Sequence, residues 1–184
     1  MKTTPRLGRQ HAERRRWGRR ALALVAGGWL GGGLGGAAAK DAAVATGERV
    51  IWPELRLLDG RVLAAPALRQ RATVLVFFST TCPFCKRHNQ HVQKLASASA
   101  SAGRPLQVLG VAQDRNADDV RRHMAQHGLR FDVTLDEQPL RASLSPRRVI
   151  PLTCVLDREG RLRELIPGEM SEDDVLGLAR WASA

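Results

Sequence analysis

The stretch Ala72-Thr73-Val74-Leu75-Val76-Phe77-Phe78-Ser79-Thr80-Thr81-Cys82-Pro83-Phe84-Cys85 decides how this chain folds. Its first seven residues form a continuous apolar run bounded by Arg71 and Ser79, the pattern of a strand covered on both faces. Such a strand belongs in the middle of a sheet. A helix then starts near Cys82 and runs toward Ser101. Pro83 suits its opening, because the N–H that proline lacks has no intrahelical use there. The helix tail is an Ala/Ser repeat ended by Gly103-Arg104-Pro105, expected to be a solvated helix end.

Outward from this unit, short apolar runs alternate with helical periods. Upstream, Glu54–Leu58 and Arg61–Leu63 flank Asp59-Gly60, a hairpin dipeptide. Downstream, Leu106–Val111 reads as a second buried strand. Ala117–His127 reads as a helix closed by Gly128, Phe131–Leu135 as a short strand and Pro139–Leu144 as one or two helical turns. A loop leads to Pro151, after which Leu152–Asp157 and Arg161–Ile166 pair around Arg158-Glu159-Gly160. Ser171 and Asp174 form a capping box, with Asp in place of Glu, opening a final helix through Trp181. The order predicts an α/β domain whose strands are parallel where a helix crosses over and antiparallel where a hairpin turns.

The chain has 184 residues and three cysteines, which suits one domain and excludes a disulfide-dense mini-protein. A net charge of +11 raises the question of nucleic acid, but the charge is concentrated at the front. Residues 1–45 hold nine basic and two acidic side chains, the rest 20 basic and 16 acidic. With 4% aromatic residues there is little platform for stacking bases, so no nucleic-acid partner is expected. Residues 1–45 read as an export signal: a basic segment, an uncharged Gly-rich run from Ala21 to Ala39, and small-residue sites ending at Ala39 and Ala45. Gly18-Arg19-Arg20-Ala21-Leu22 resembles a twin-arginine signal. The alternative is an uncleaved anchor, although each glycine costs a helix about 1 kcal/mol relative to alanine. Either way residues 46–184 are expected in the periplasm, where disulfides persist.

Cys82-Pro83-Phe84-Cys85 carries the chemistry. In a first helical turn the side chains at i and i+3 come together, close enough for two sulfurs to bond. Cys82 then sits at the positive end of the helix, which favours thiolate over thiol, and Lys86 and Arg87 add charge. Cys82 is expected to attack and Cys85 to resolve. Pro83, Phe84, Lys86 and His88 are placed to modulate the pair. A structural disulfide closing so small a loop would constrain little. A zinc reading of Cys82, Cys85, His88 and His91 fails on helix geometry, because steps of three residues drift about 60° each and carry the ends to opposite faces. His123 and His127 read as a solvated helix face, His88 as a surface residue, and Cys154 as a small hydrophobe in a buried strand. No metal site is expected.

Taken together, the strand, the C-x-x-C at a helix start, the crossover and Val149-Ile150-Pro151 entering Leu152–Asp157 resemble the thioredoxin fold. More closely they resemble the TlpA/ResA branch of exported thiol-disulfide oxidoreductases. The resemblance covers nearly all of residues 50–184 and rests on the ordered set: the hairpin at Asp59-Gly60, the helix and strand ending in Phe131-Asp132-Val133-Thr134-Leu135-Asp136, and Cys154-Val155-Leu156-Asp157 before Glu159-Gly160. It implies a thioredoxin-like three-layer fold with a central mixed β-sheet, an N-terminal β-hairpin and an inserted helix-strand unit. It also implies that Pro151 is a cis-proline facing the cysteines, with the backbone of Ile150 open to pair with an extended substrate.

The sequence departs from the pattern at Thr81, where many relatives carry Trp, and at Val76, where thioredoxins carry an acidic proton acceptor. No carboxylate is evident near the cysteines, leaving His88 or water to deprotonate Cys85. The expected function is protein thiol-disulfide exchange in the reducing direction, with no cofactor beyond the Cys82–Cys85 disulfide. Expected partners are protein thiols or disulfides, such as cytochrome-maturation or copper-site proteins, and a DsbD-like membrane electron donor. The alternatives are a DsbA-like oxidase or isomerase, a peroxiredoxin-type peroxidase and a copper-delivery module. A peroxiredoxin loop would read Pro-x-x-x-Thr-x-x-Cys, where this chain has Leu75, Ser79 and Cys82.

Overall fold

A computed structural model describes residues 44–64, 66, 71–103, 106–145 and 147–183. The leader read at residues 1–45 lies outside these except for its last two residues. The chain forms strands β1 (Leu55–Arg56), β2 (Val62–Leu63) and β3 (Ala72–Phe78), then helix α1 (Pro83–Ser101). Strand β4 (Leu106–Ala112), helix α2 (Ala117–Gln126), strand β5 (Asp132–Thr134) and helix α3 (Glu137–Leu144) follow. Strands β6 (Leu152–Leu156) and β7 (Leu162–Pro167), helix α4 (Glu172–Gly177) and a 3-10 segment, Leu178–Ser183, complete it. The five-stranded sheet has the order β5-β4-β3-β6-β7, and β1 and β2 form a separate hairpin.

All seven residues of β3 are buried, as a central strand requires. It runs parallel to β4, which runs parallel to β5, and antiparallel to β6, which turns back into β7. This is the expected mixed sheet, with α2 and β5 as the inserted unit.

Alternation along β3 divides the core into the two spaces of a three-layer fold. Val74, Val76 and Phe78 face Cys85, Val92 and Leu95 of α1, Val120 and Met124 of α2, and Val175 of α4. Leu75 and Phe77 face Leu140 and Leu144 of α3 and the N-terminal residues Val50, Trp52, Leu55 and Leu57. Turns fall where the sequence put them: Gly60 and Gly128 take positive φ, the left-handed conformation that glycine adopts without penalty.

Two expectations need correction. The last helix does not continue as α-helix to Trp181 but tightens into 3-10 geometry from Leu178. The Ala/Ser tail of α1 is not wholly solvated, because Ser99 falls on the apolar stripe with Val92 and Leu95 and is buried. Among the described residues no helix is long and apolar enough to cross a membrane.

Candidate active site

The sheet register brings three chain ends together. Phe78, the last residue of β3, pairs with Ala112, the last of β4, and Phe77 pairs with Leu152, the first of β6. The connections Ser79–Cys82, Gln113–Arg115 and Val149–Pro151 therefore leave the same edge of the sheet, where strand direction reverses, a customary place for a site in such folds.

Cys82 is the N-cap of α1 rather than a residue of its first turn, and Pro83 opens the helix. Its sulfur accepts the Cys85 N–H at 3.2 Å, one of the donors that a helix start leaves without an intrahelical partner. Cys82 is half-buried, whereas Cys85 is fully buried, and both are free thiols. Burial, followed by the hydrogen bond with Cys82, pushes the Cys85 thiol up to about 12. One sulfur is reachable and held by a backbone donor; the other stays protonated at neutral pH until something takes its proton.

The loop before Cys82 is fixed by a carboxylate that the sequence reading missed. Asp114 accepts from the Thr80 backbone N–H at 3.0 Å and the Thr80 hydroxyl at 2.6 Å, with Ser79 Oγ at 3.4 Å. A signal was available: Asp114 stands two residues past a buried strand parallel to β3, at the edge where the C-x-x-C loop begins.

His88 is not a surface residue. It is fully buried, with Nδ1 accepting the Met170 N–H at 3.3 Å and Nε2 at 3.0 Å from Thr153 Oγ1 of β6. Because Nδ1 is an acceptor, the proton sits on Nε2 and is donated to Thr153. Burial, with His91 second, lowers its pKa to about 4. Both nitrogens are committed away from Cys85, which removes the geometry for His88 as its base. His91 donates from Nδ1 to the Met170 carbonyl at 3.3 Å, so two histidines of α1 grip one backbone unit.

The Ile150–Pro151 bond is cis. Ile150 is half-buried against both core clusters, and neighbouring Val149 is 41% exposed. Phe84, between the cysteines, is 55% exposed. The Arg87 guanidinium lies 5.1 Å from the Phe84 ring and is held by Glu169 at 2.8 and 2.6 Å. Lys86 is exposed on the same turn. The structure thus places Phe84, Lys86 and Arg87 around the first turn of α1, and sends His88 to the opposite side of the helix.

His123 also departs from its solvated reading. It is buried, stacked 6.2 Å from Phe78 and edge-on to His127 at 4.6 Å. Burial first and His127 second lower its pKa. Cys154 lies fully buried opposite Leu75 of β3, and burial pushes its thiol up to about 12.

A family model described as the AhpC/TSA family matches residues 46–165. The thiol-disulfide oxidoreductase ResA of Halalkalibacterium halodurans is 25% identical over 129 residues, covering 70% of this chain and 72% of that protein. A thiol:disulfide interchange protein of the thioredoxin family from Chlorobium tepidum superposes with a TM-score of 0.65 at 22% identity, covering 78% of this chain and all of that one. StoA from Bacillus subtilis superposes with a TM-score of 0.58 at 19% identity, covering 68% of this chain and 94% of that one.

Proposed function

The chain belongs to the AhpC/TSA family, with the thioredoxin fold of the thiol-disulfide oxidoreductases, and on that premise we propose that it reduces disulfides in exported proteins through Cys82 and Cys85. The carrying observation is the asymmetry of the pair: Cys82 capping α1 and reachable, Cys85 buried one turn on. The Cys82 thiolate attacks one sulfur of a substrate disulfide and expels the other as a thiolate. Cys85, once deprotonated, attacks Cys82, forms the Cys82–Cys85 disulfide and releases the second substrate sulfur. Two electrons and two protons pass to the substrate, and a membrane dithiol donor returns them to the pair. No other cofactor enters. With Val76 and His88 unsuited to take the Cys85 proton, water or the departing substrate thiolate takes it.

Substrate backbone pairs with Ile150 as an added strand, while Phe84 and Val149 supply apolar contact. The export signal read at residues 1–45 supports a periplasmic setting for this chemistry, and cytochrome-maturation or copper-site proteins fit as substrates of a reductant there.

Trapping tests the reading. With Cys85→Ala, Cys82 still attacks but nothing internal displaces the substrate, so covalent adducts accumulate on a non-reducing gel and collapse with added thiol. Cys82→Ala is expected to give none. Equal trapping by both variants, or by neither, refutes the exchange mechanism. The family match also favours a peroxidase as second reading, which requires peroxide consumption by Cys82 in the absence of any protein disulfide.

A further inference from the structure

Between β3 and Cys82 run two peptide units that are each held from the end of β4 on one side and meet a cysteine on the other. In the Phe78–Ser79 unit the carbonyl accepts the Gln113 N–H at 2.9 Å. Its N–H serves Cys85: burial raises that thiol, and a hydrogen bond from the Ser79 backbone opposes the rise, which only a donor to the thiolate can do. In the next unit, Ser79–Thr80, the direction reverses. The carbonyl accepts the Cys82 N–H at 3.2 Å, and the Thr80 N–H donates to Asp114 Oδ2 at 3.0 Å. A trans peptide is planar with its N–H and C=O on opposite sides, so fixing one end aims the other.

The two grips differ in kind. Gln113 acts through its backbone, continuing the parallel β3–β4 ladder, and the residue type there is immaterial. Asp114 acts through its side chain, which also accepts the Thr80 hydroxyl at 2.6 Å and reaches Ser79 Oγ at 3.4 Å. One carboxylate thus holds a backbone N–H and two hydroxyls of adjacent residues. Donors fixed before charge develops need no reorganisation when it appears. Thiolate forms at Cys85 only in the second half of the exchange, when Cys85 attacks Cys82, and there the Ser79 N–H counts. Cys82 relies on a different donor, the Cys85 N–H, which Asp114 does not touch.

We propose that Asp114 is a positioning residue for the resolving step: by holding Ser79 and Thr80 it keeps the Ser79 N–H directed at Cys85 while that sulfur becomes a thiolate. The proposal rests on the exchange reading above and assigns a residue to the half-reaction that neither Val76 nor His88 serves.

Two-phase kinetics test it. Pre-reduced protein is mixed with the aromatic disulfide dithiobis(nitrobenzoate). The Cys82 thiolate breaks the reagent's S–S bond, releasing one coloured thionitrobenzoate and keeping the other as a mixed disulfide. Cys85 then attacks Cys82, forms the Cys82–Cys85 disulfide and expels the second thionitrobenzoate. The pair gives two electrons to the reagent and its two protons to water. Asp114→Ala is expected to slow the second release about tenfold at neutral pH and to move its pH profile up by about one unit, with the first release nearly unchanged. In Asp114→Asn the carboxamide oxygen still accepts the Thr80 N–H and the NH2 group donates to the Thr80 hydroxyl, so most of the loss is expected to be recovered. Thr80→Val keeps the N–H and loses the hydroxyl, and is expected to slow the second release by less than Asp114→Ala does. An unchanged second phase in Asp114→Ala, equal slowing of both phases, or an Asn variant as slow as the Ala variant overturns the assignment. Should Asp114→Ala fail to fold, Thr80→Val decides, selective slowing of the second phase supporting the assignment and an unchanged second phase overturning it. Absence of a second release from the unaltered protein is a separate result, which refutes the exchange reading itself and the role of Asp114 with it.

Discussion

His88 shows what a single residue contributes once its partners are known. Its ring is neutral in the fold, Nδ1 accepting from Met170 and Nε2–H donating to Thr153, and its pKa stands at about 4 against 6.5 in an exposed chain. Between those values the unfolded chain binds a proton that the folded one does not. Stability from this group is therefore fully present above about pH 6.5 and is lost as pH falls toward 4, on the order of 3 kcal/mol in all. The urea midpoint should fall over that window, and His88→Gln should flatten this part of the pH profile. An unchanged profile would refute the neutral, buried assignment. The cysteines were legible because their relation is local, three residues apart on one helical turn. His88 was not, since Thr153 and Met170 lie 65 and 82 residues away and helical periodicity gives no sign of them. Asp114 escaped for the same reason, acting on Thr80 across 34 residues of chain.

At the scale of elements, β4 illustrates how tightly the sheet supports the site. Gly110 pairs with Val76 on one side and Val133 on the other. A Cβ there would lie 2.9 Å from Phe131 Cε2, 3.0 Å from Phe78 Cε1 and 3.0 Å from Val133 Cγ2. The three neighbours are buried core side chains with little room to move, and Phe78 is also the residue from which the C-x-x-C loop departs. Gly110→Ala gains the better strand propensity of alanine yet is expected to destabilise by about 1–3 kcal/mol, as overpacking does. A denaturant titration reads this directly, and an equal or higher midpoint would contradict the packing argument. Elements with a strong local pattern were legible in the sequence, β3 to the residue. The first hairpin strand was read longer than it is: the Leu57 N–H still donates to the Arg61 carbonyl across the turn, but the Leu58 N–H leaves the hairpin and donates to the Val133 carbonyl of β5. The final helix was read too long because its apolar spacing, Val175, Leu178 and Ala182, satisfies α and 3-10 periods nearly alike.

At the scale of the whole molecule, the fold bears on where the export leader expected from the sequence would end. Two small-residue sites compete, one after Ala39 and one after Ala45. Processing needs backbone free to lie extended in a protease, and hydrogen-bonded backbone resists it. The second site is tied down. The Val44 N–H donates to the Leu144 carbonyl at 3.1 Å, the Ala45 N–H to Glu48 Oε2 at 3.0 Å and the Gly47 N–H to the Leu162 carbonyl at 2.7 Å. Val44 also packs, half-buried, against the core cluster under α3. A chain that folds before its leader is removed is therefore expected to be cut after Ala39 and to begin at Lys40. Protein beginning at Thr46 lacks the Val44 bond and its packing, and should be less stable than protein beginning at Lys40 by about 1–2 kcal/mol. N-terminal sequencing of protein from an exporting host checks the first expectation, and denaturation of the two trimmed forms the second. A natural start at Thr46 would mean that cleavage precedes folding, and equal stability of the two forms would show that Val44 adds nothing to the domain it touches.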